Sequence, residues 1–137
     1  MSNIKKKSFD DPIGLRLPET GEEFLKMLED NSEFEEIPHR VKAKEYFISI
    51  CKRFANYFEY EFKIKESEHE VKVILEIDAL IVTGESKDAF LAMVGMADEI
   101  EMVNLKEGIT TFSFTFFTHQ LYLNGKPMRR IKVNENV

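Results

Sequence analysis

The sequence predicts a two-layer α+β domain: an antiparallel sheet of about four to five strands with helices on one face. The elements should follow the order α-α-β-β-α-β-β. Three observations carry this reading. The apolar period changes from helical to alternating at "FEYEFKIK", residues 58–65. "ITTFSFTFFTH" alternates phenylalanine with threonine or serine through residues 109–119. "LYLNGKPM" sets Asn124-Gly125 between extended flanks, the signature of a two-residue hairpin.

With 137 residues, 43% of them hydrophobic and twelve of them phenylalanine, the chain can bury one core and lacks a disordered composition. A single domain is expected over 21–137, preceded by a flexible or extended arm over 1–20. That arm holds Lys5 to Lys7, Asp10-Asp11-Pro12, Gly14 and Pro18 without any sustained period. The single cysteine excludes an intrachain disulfide and fits a reducing compartment. No apolar run follows the early lysines, and no window approaches the roughly 18 apolar residues of a membrane span. A soluble, cytoplasmic protein with no membrane partner is the expectation.

The first helix should open on "TGEE", with Thr20 as N-cap and Glu23 three residues on, and end by Asn31. Phe24, Leu25 and Leu28 form its apolar side. Pro38 suits the first turn of a second helix. Val41, Phe47, Ile48, Cys51, Phe54 and Ala55 follow at helical spacing as far as Asn56. Arg40, Lys44, Glu45, Lys52 and Arg53 take much of the remaining circumference. A strand follows with Phe58, Tyr60, Phe62 and Ile64 on one side and Glu59, Glu61, Lys63 and Lys65 on the other. "ESEHE" turns the chain into a longer strand whose apolar row runs from Val71 to Ile81.

"TGES" then leads into a third helix with Ser86 as N-cap. Phe90, Val94, Ala97 and Ile100 form its stripe, and Gly95 lies inside it. "KEG" at 106–108 is a loop before the phenylalanine strand. Beyond that strand, Leu123 should face Lys126 and Tyr122 should face Pro127 across the Asn124-Gly125 turn. Proline there demands an edge strand. Lys126, Arg129, Arg130 and Lys132 would blunt that edge against aggregation.

Phe112, Phe114 and Phe116 share one face of their strand, and burial of each contributes roughly 1.5–3 kcal/mol. That row belongs under the helices. Platforms that stack bases sit among basic and glycine residues, and this strand has neither. Thr111, Ser113 and Thr115 line the other face, with Phe117 beyond them. Continued in parity, Phe117, Leu121 and Leu123 would make an apolar strip suited to a partner. A bulge near Thr118-His119 would remove it, and both arrangements stay open.

Motifs for chemistry are sparse. Cys51 lies on an apolar stripe and reads as an inert thiol. His39, His69 and His119 lack metal-ligand spacing, so no metal or cofactor is expected. "ESEHE" could hold a cation loosely but reads as an exposed turn. "TGESK" could bind an anion on free N–H groups but lacks the P-loop pattern. Asp78, on a polar face with Glu76, could serve acid–base work if it met His119.

The formal charge of −6 argues against a bulk nucleic-acid binder. Charge is uneven, since Lys26 is the one base in the acid-rich stretch 19–36. The function these observations favour is a non-enzymatic protein-interaction or assembly module that self-associates or holds a protein partner. The alternative is a small-ligand binder or enzyme with a pocket between sheet and helices near Asp78 and His119.

Overall fold

The computed structural model describes residues 15–18, 20–31, 37–58, 62–78, 81–104 and 109–134. The expectations for residues 5–14, for Glu59, Tyr60 and Glu61, for Ala79 and for the loop at 106–108 lie outside these residues. β1 (Leu15–Arg16), α1 (Gly21–Asn31) and α2 (Arg40–Phe58) come first. The hairpin β2 (Phe62–Glu66) and β3 (Glu70–Asp78) follows, then β4 (Ile81–Val82) and α3 (Gly84–Met96). The order ends with β5 (Glu99–Asn104), β6 (Ile109–Phe117), a ribbon of β7 (Tyr122–Leu123) and β8 (Lys126–Pro127), and β9 (Arg130–Asn134).

The fold is of the α+β class. Its main sheet has five strands in the order β9-β5-β6-β3-β2. All neighbours are antiparallel except β9 and β5. That parallel edge departs from the purely antiparallel expectation, and its cause is the ribbon. The β7–β8 turn lets β9 start where β6 ends, so β9 runs against β6 and therefore along β5.

Local chemistry sets most boundaries. Thr20 caps α1: the Glu23 N–H donates to Thr20 Oγ1 at 3.1 Å, and the Phe24 N–H to Thr20 O at 3.0 Å. At α3 the cap is Thr83 rather than Ser86, whose hydroxyl donates to Thr83 O at 2.7 Å inside the first turn. Gly84, with φ +57°, allows the change of direction there. α3 also stops sooner than its apolar stripe implies. Ala97 is extended at ψ 138°, and Ile100 belongs to β5. Alternation wins over helical spacing because Ile100 and Met102 pair with Phe114 and Phe112. β3 ends at Asp78, and β4 pairs with β1 instead of prolonging it. The hairpin turn is as expected, with Asn124 at φ 53°, Gly125 at φ 80°, and Tyr122 opposite Pro127.

The register divides the sheet into two faces. Phe62, Leu75, Phe112, Met102 and Val133 form one row across it, and Ile64, Val73, Phe114, Ile100 and Ile131 the next. The helices cover this side. Lys63, Ile74, Ser113, Glu101 and Lys132 form a row on the opposite side, as do Lys65, Lys72, Thr115, Glu99 and Arg130. The phenylalanine row is therefore core. Phe90 of α3 meets Phe112 and Phe114 edge-on at 5.7 and 6.0 Å, and Phe54 of α2 at 5.5 Å. Phe24 of α1 lies on Phe112 at 5.6 Å, while Phe47 of α2 stacks on Phe116 at 5.3 Å. Phe90 thus joins two helices to the central strand. Phe90→Ala should cost about 3–5 kcal/mol in urea unfolding, whereas Leu25→Ala on the exposed side of α1 should stay within about 0.5 kcal/mol.

Candidate functional site

Arg40 opens α2 yet is buried, against the exposed position that helical spacing gives it. Its guanidinium joins elements far apart in the chain. Nη1 donates to Asp98 Oδ2 at 2.7 Å, to Phe117 O at 3.0 Å and to His119 O at 3.4 Å. Nη2 donates to Gln120 Oε1 at 2.7 Å, and the guanidinium carbon stands 5.2 Å from the centre of the Phe116 ring. The Arg40 and Asp98 side chains are 4% and 0% exposed. This is a buried ion pair between a helix start and the turn from α3 into β5.

Asp98 is equally engaged. Its Oδ2 also accepts the Phe117 N–H at 2.7 Å. Its own N–H donates to Thr115 O, and its carbonyl accepts the N–H of Arg130, each at 2.8 Å. The residue therefore leads into β5, fixes the end of β6 and receives β9. Burial pushes its carboxyl above the ordinary value, while Arg40 and the Phe117 N–H pull the other way. Arg40 Nε and Asp98 Oδ1 find no partner among the described residues. Neither residue announces this role locally. The nearest sequence signal is an acid at the point where the apolar period of "FLAMVGMADEIEM" changes from helical to alternating.

Outside this pair lies a cleft of about 530 Å³. Ile37, Pro38, His39, Val41 and Lys42 form one wall. Thr118, His119, Gln120 and Tyr122 form the other, with Arg40 between. Val41 is 72% exposed and Tyr122 54%, and Leu123 beside it on the ribbon is 60% exposed. The cleft has apolar walls and basic side chains, and among the described residues no acid lines it.

The residues singled out from sequence fall in different places. Phe117 is buried and stacks on the His119 ring at 5.2 Å. β6 stops there, Leu121 is half-buried in the connection, and Leu123 stands on the separate ribbon. The three make no continuous row. Asp78 pairs with Ile109, whereas Glu70 pairs with Phe117 at the other end of the same ladder. Asp78 and His119 are therefore separated by about 25 Å of strand, and the fold does not bring them together.

The basic edge has structural partners. Arg129 donates to Val94 O near the C-terminus of α3, and Arg130 pairs with Glu99. Lys126 and Lys132 are exposed. On the open sheet face, Lys72, Ser113, Thr115, Glu99, Glu101 and Arg130 surround a depression of about 210 Å³ in which acids and bases are mixed. Cys51 is fully buried, and burial drives its thiol far above the ordinary range. The "ESEHE" turn is exposed, with Ser67 N–H bonded to Glu70 O at 2.9 Å. Among the described residues no group of acids, histidines and cysteines could hold a metal ion, and no helix is long and apolar enough to cross a membrane.

No family model matches the chain, and neither a curated protein nor a solved structure is significantly similar to it.

Replacing Arg40 with methionine strands the Asp98 charge and should cost about 3–5 kcal/mol near neutral pH. The loss should shrink with acid. In that variant the folded state holds the Asp98 proton more tightly than the unfolded chain, so falling pH favours folding until the ordinary carboxyl value is passed. Wild type gains in the same way but less, because Arg40 holds its Asp98 carboxyl lower. The gap in urea midpoints should therefore narrow as pH falls toward the ordinary carboxyl value, and a constant gap would contradict the stranded charge.

Proposed function

We propose that the chain is a protein-interaction module without catalytic activity, and that it seats a partner segment in the cleft at the start of α2. One observation carries this reading. Large apolar side chains scattered singly are normal on a surface, but Val41 and Tyr122 gather around one concavity, with Leu123 beside it. Lys42 adds a positive charge to the same walls, and His39 and His119 add imidazole rings. The occupant that fits is an acidic segment with an aliphatic anchor, its anchor between the apolar walls and its carboxylates toward Lys42.

The frame behind the cleft supports the same reading. Arg40 fixes both walls through α2 and through the Phe117–Gln120 connection, so a partner meets a formed surface and less binding energy is lost to ordering. Arg129 and Arg130 are drawn into contacts with Val94 and Glu99, which weakens the case for a nucleic-acid footprint. A reducing, cytoplasmic setting agrees with the single, buried Cys51. The volume would also suit a small anionic ligand beside His119, a second reading that draws on the cleft alone and not on Asp78.

The test uses a blocked acidic peptide, acetyl-Glu-Glu-Leu-Glu-Glu-Leu-amide, titrated into isotope-labelled protein. Amide shifts should saturate at Val41, Lys42, His119, Gln120 and Tyr122. They should weaken with salt and vanish in Lys42→Glu. Absent or scattered shifts would overturn the reading. Saturation by a free dicarboxylate as strong as by the peptide would favour the small-ligand alternative.

A further inference from the structure

We infer that the occupant of the cleft is helix α1 of a second copy of this chain, an assignment that rests on the interaction reading above. The chemistry that the cleft requires is present on the outward side of α1. Glu22, Leu25 and Glu29 lie on one stripe of that helix, since the spacings of three and four residues return to the same side. Leu25 is 51% exposed and is flanked by the two exposed glutamates. Lys26 lies next to the stripe, yet with Glu23 the outward face as a whole remains acidic. An exposed leucine between carboxylates matches apolar walls beside Lys42.

A chain cannot fill its own cleft in this way. Phe24 fixes α1 over Phe112, whereas the cleft begins at Thr118 beyond the end of β6. Six residues of strand separate the two, about 20 Å. α1 and the start of α2 also lie over the same sheet face, where Phe24 meets Phe112 and Phe47 meets Phe116. Two copies related by a two-fold axis therefore dock reciprocally, the outward side of each α1 in the other's cleft while its Phe24 side stays on its own sheet, and close a dimer. Lys42 on the wall, with no acid among the described lining residues, gives an acidic helix of the same chain a place of opposite charge.

Charge reversal tests the pairing. Wild type should gain mass by light scattering as its concentration rises toward about millimolar, with salt opposing the gain. Lys42→Glu alone, and Glu22→Lys with Glu29→Lys in a second variant, should each weaken self-association by about tenfold or more, because like charges then face each other. Mixed in equal amounts, the two variants should recover the wild-type mass, since reversed cleft now meets reversed helix and native cleft meets native helix. All three positions are exposed, and circular dichroism should show wild-type folding. Wild type remaining at monomer mass throughout, variants that associate as wild type does, or a mixture without recovery would overturn the inference. If the acidic peptide still saturates the cleft in that event, the partner is another protein. If it also fails to bind, the interaction reading falls with it.

Discussion

The Arg40–Asp98 pair is the contact on which one whole end of the molecule depends. A guanidinium at the start of α2 and a carboxylate between α3 and β5 meet behind the last residues of β6. Through backbone groups the same two residues engage Thr115, Phe117, His119 and Arg130. A buried pair of this kind contributes little net stability, because taking both charges out of water offsets most of their attraction. With Arg40 Nε and Asp98 Oδ1 unpartnered among the described residues, the margin is smaller still. What the pair supplies is arrangement. Only when α2 starts beside the α3–β5 turn does each charge find the other, so packings that separate them are penalised by several kcal/mol per stranded ion.

Stability resides elsewhere, in the aromatic layer between helices and sheet. Phe24, Phe47 and Phe90 descend from three helices onto Phe112, Phe114 and Phe116 of the central strand, and Phe54 packs on Phe90. Their contacts are apolar and non-directional enough that several helix positions could bury similar area. Division of labour follows. The aromatics hold the helices on the sheet, and the ion pair at one end selects where α2 begins. The opposite sheet face carries hydroxyls on β6, lysines on β2 and β3, and acids on β5 against bases on β9, so its described residues present water with a mixed-charge surface.

Sequence legibility follows the range over which each decision is made. The Thr20 cap, the alternation through Phe112, Phe114 and Phe116, and the Asn124-Gly125 turn are decided by neighbours, and they can be read residue by residue. The end of α3 is harder. Ala97 and Ile100 suit a helical stripe as well as they suit a strand, and only pairing with β6 decides between them. Least legible is the site. Arg40 lies at a position that helical spacing assigns to solvent, and its burial depends on an acid 58 residues away. The parallel β9 edge and the break between Phe117 and Leu121 are non-local in the same sense, since both follow from how the chain leaves β6 around that ion pair.

The position of the cleft follows from the same constraint. Drawing Arg40 inward consumes the basic side chain that would have stood at the mouth of α2, and its neighbours Val41 and Lys42 are turned outward in its place. Drawing Phe117 and Gln120 toward the guanidinium ends β6 early, and the chain then departs into a ribbon that carries Tyr122 and Leu123 away from the sheet. Both walls thus arise from one buried contact: an apolar and basic helix start on one side, and an apolar ribbon on the other. A surface generated in this way is fixed in shape by the interactions beneath it. Burial of a charge pair at the end of the sheet and exposure of valine and tyrosine above it are therefore two consequences of a single packing decision.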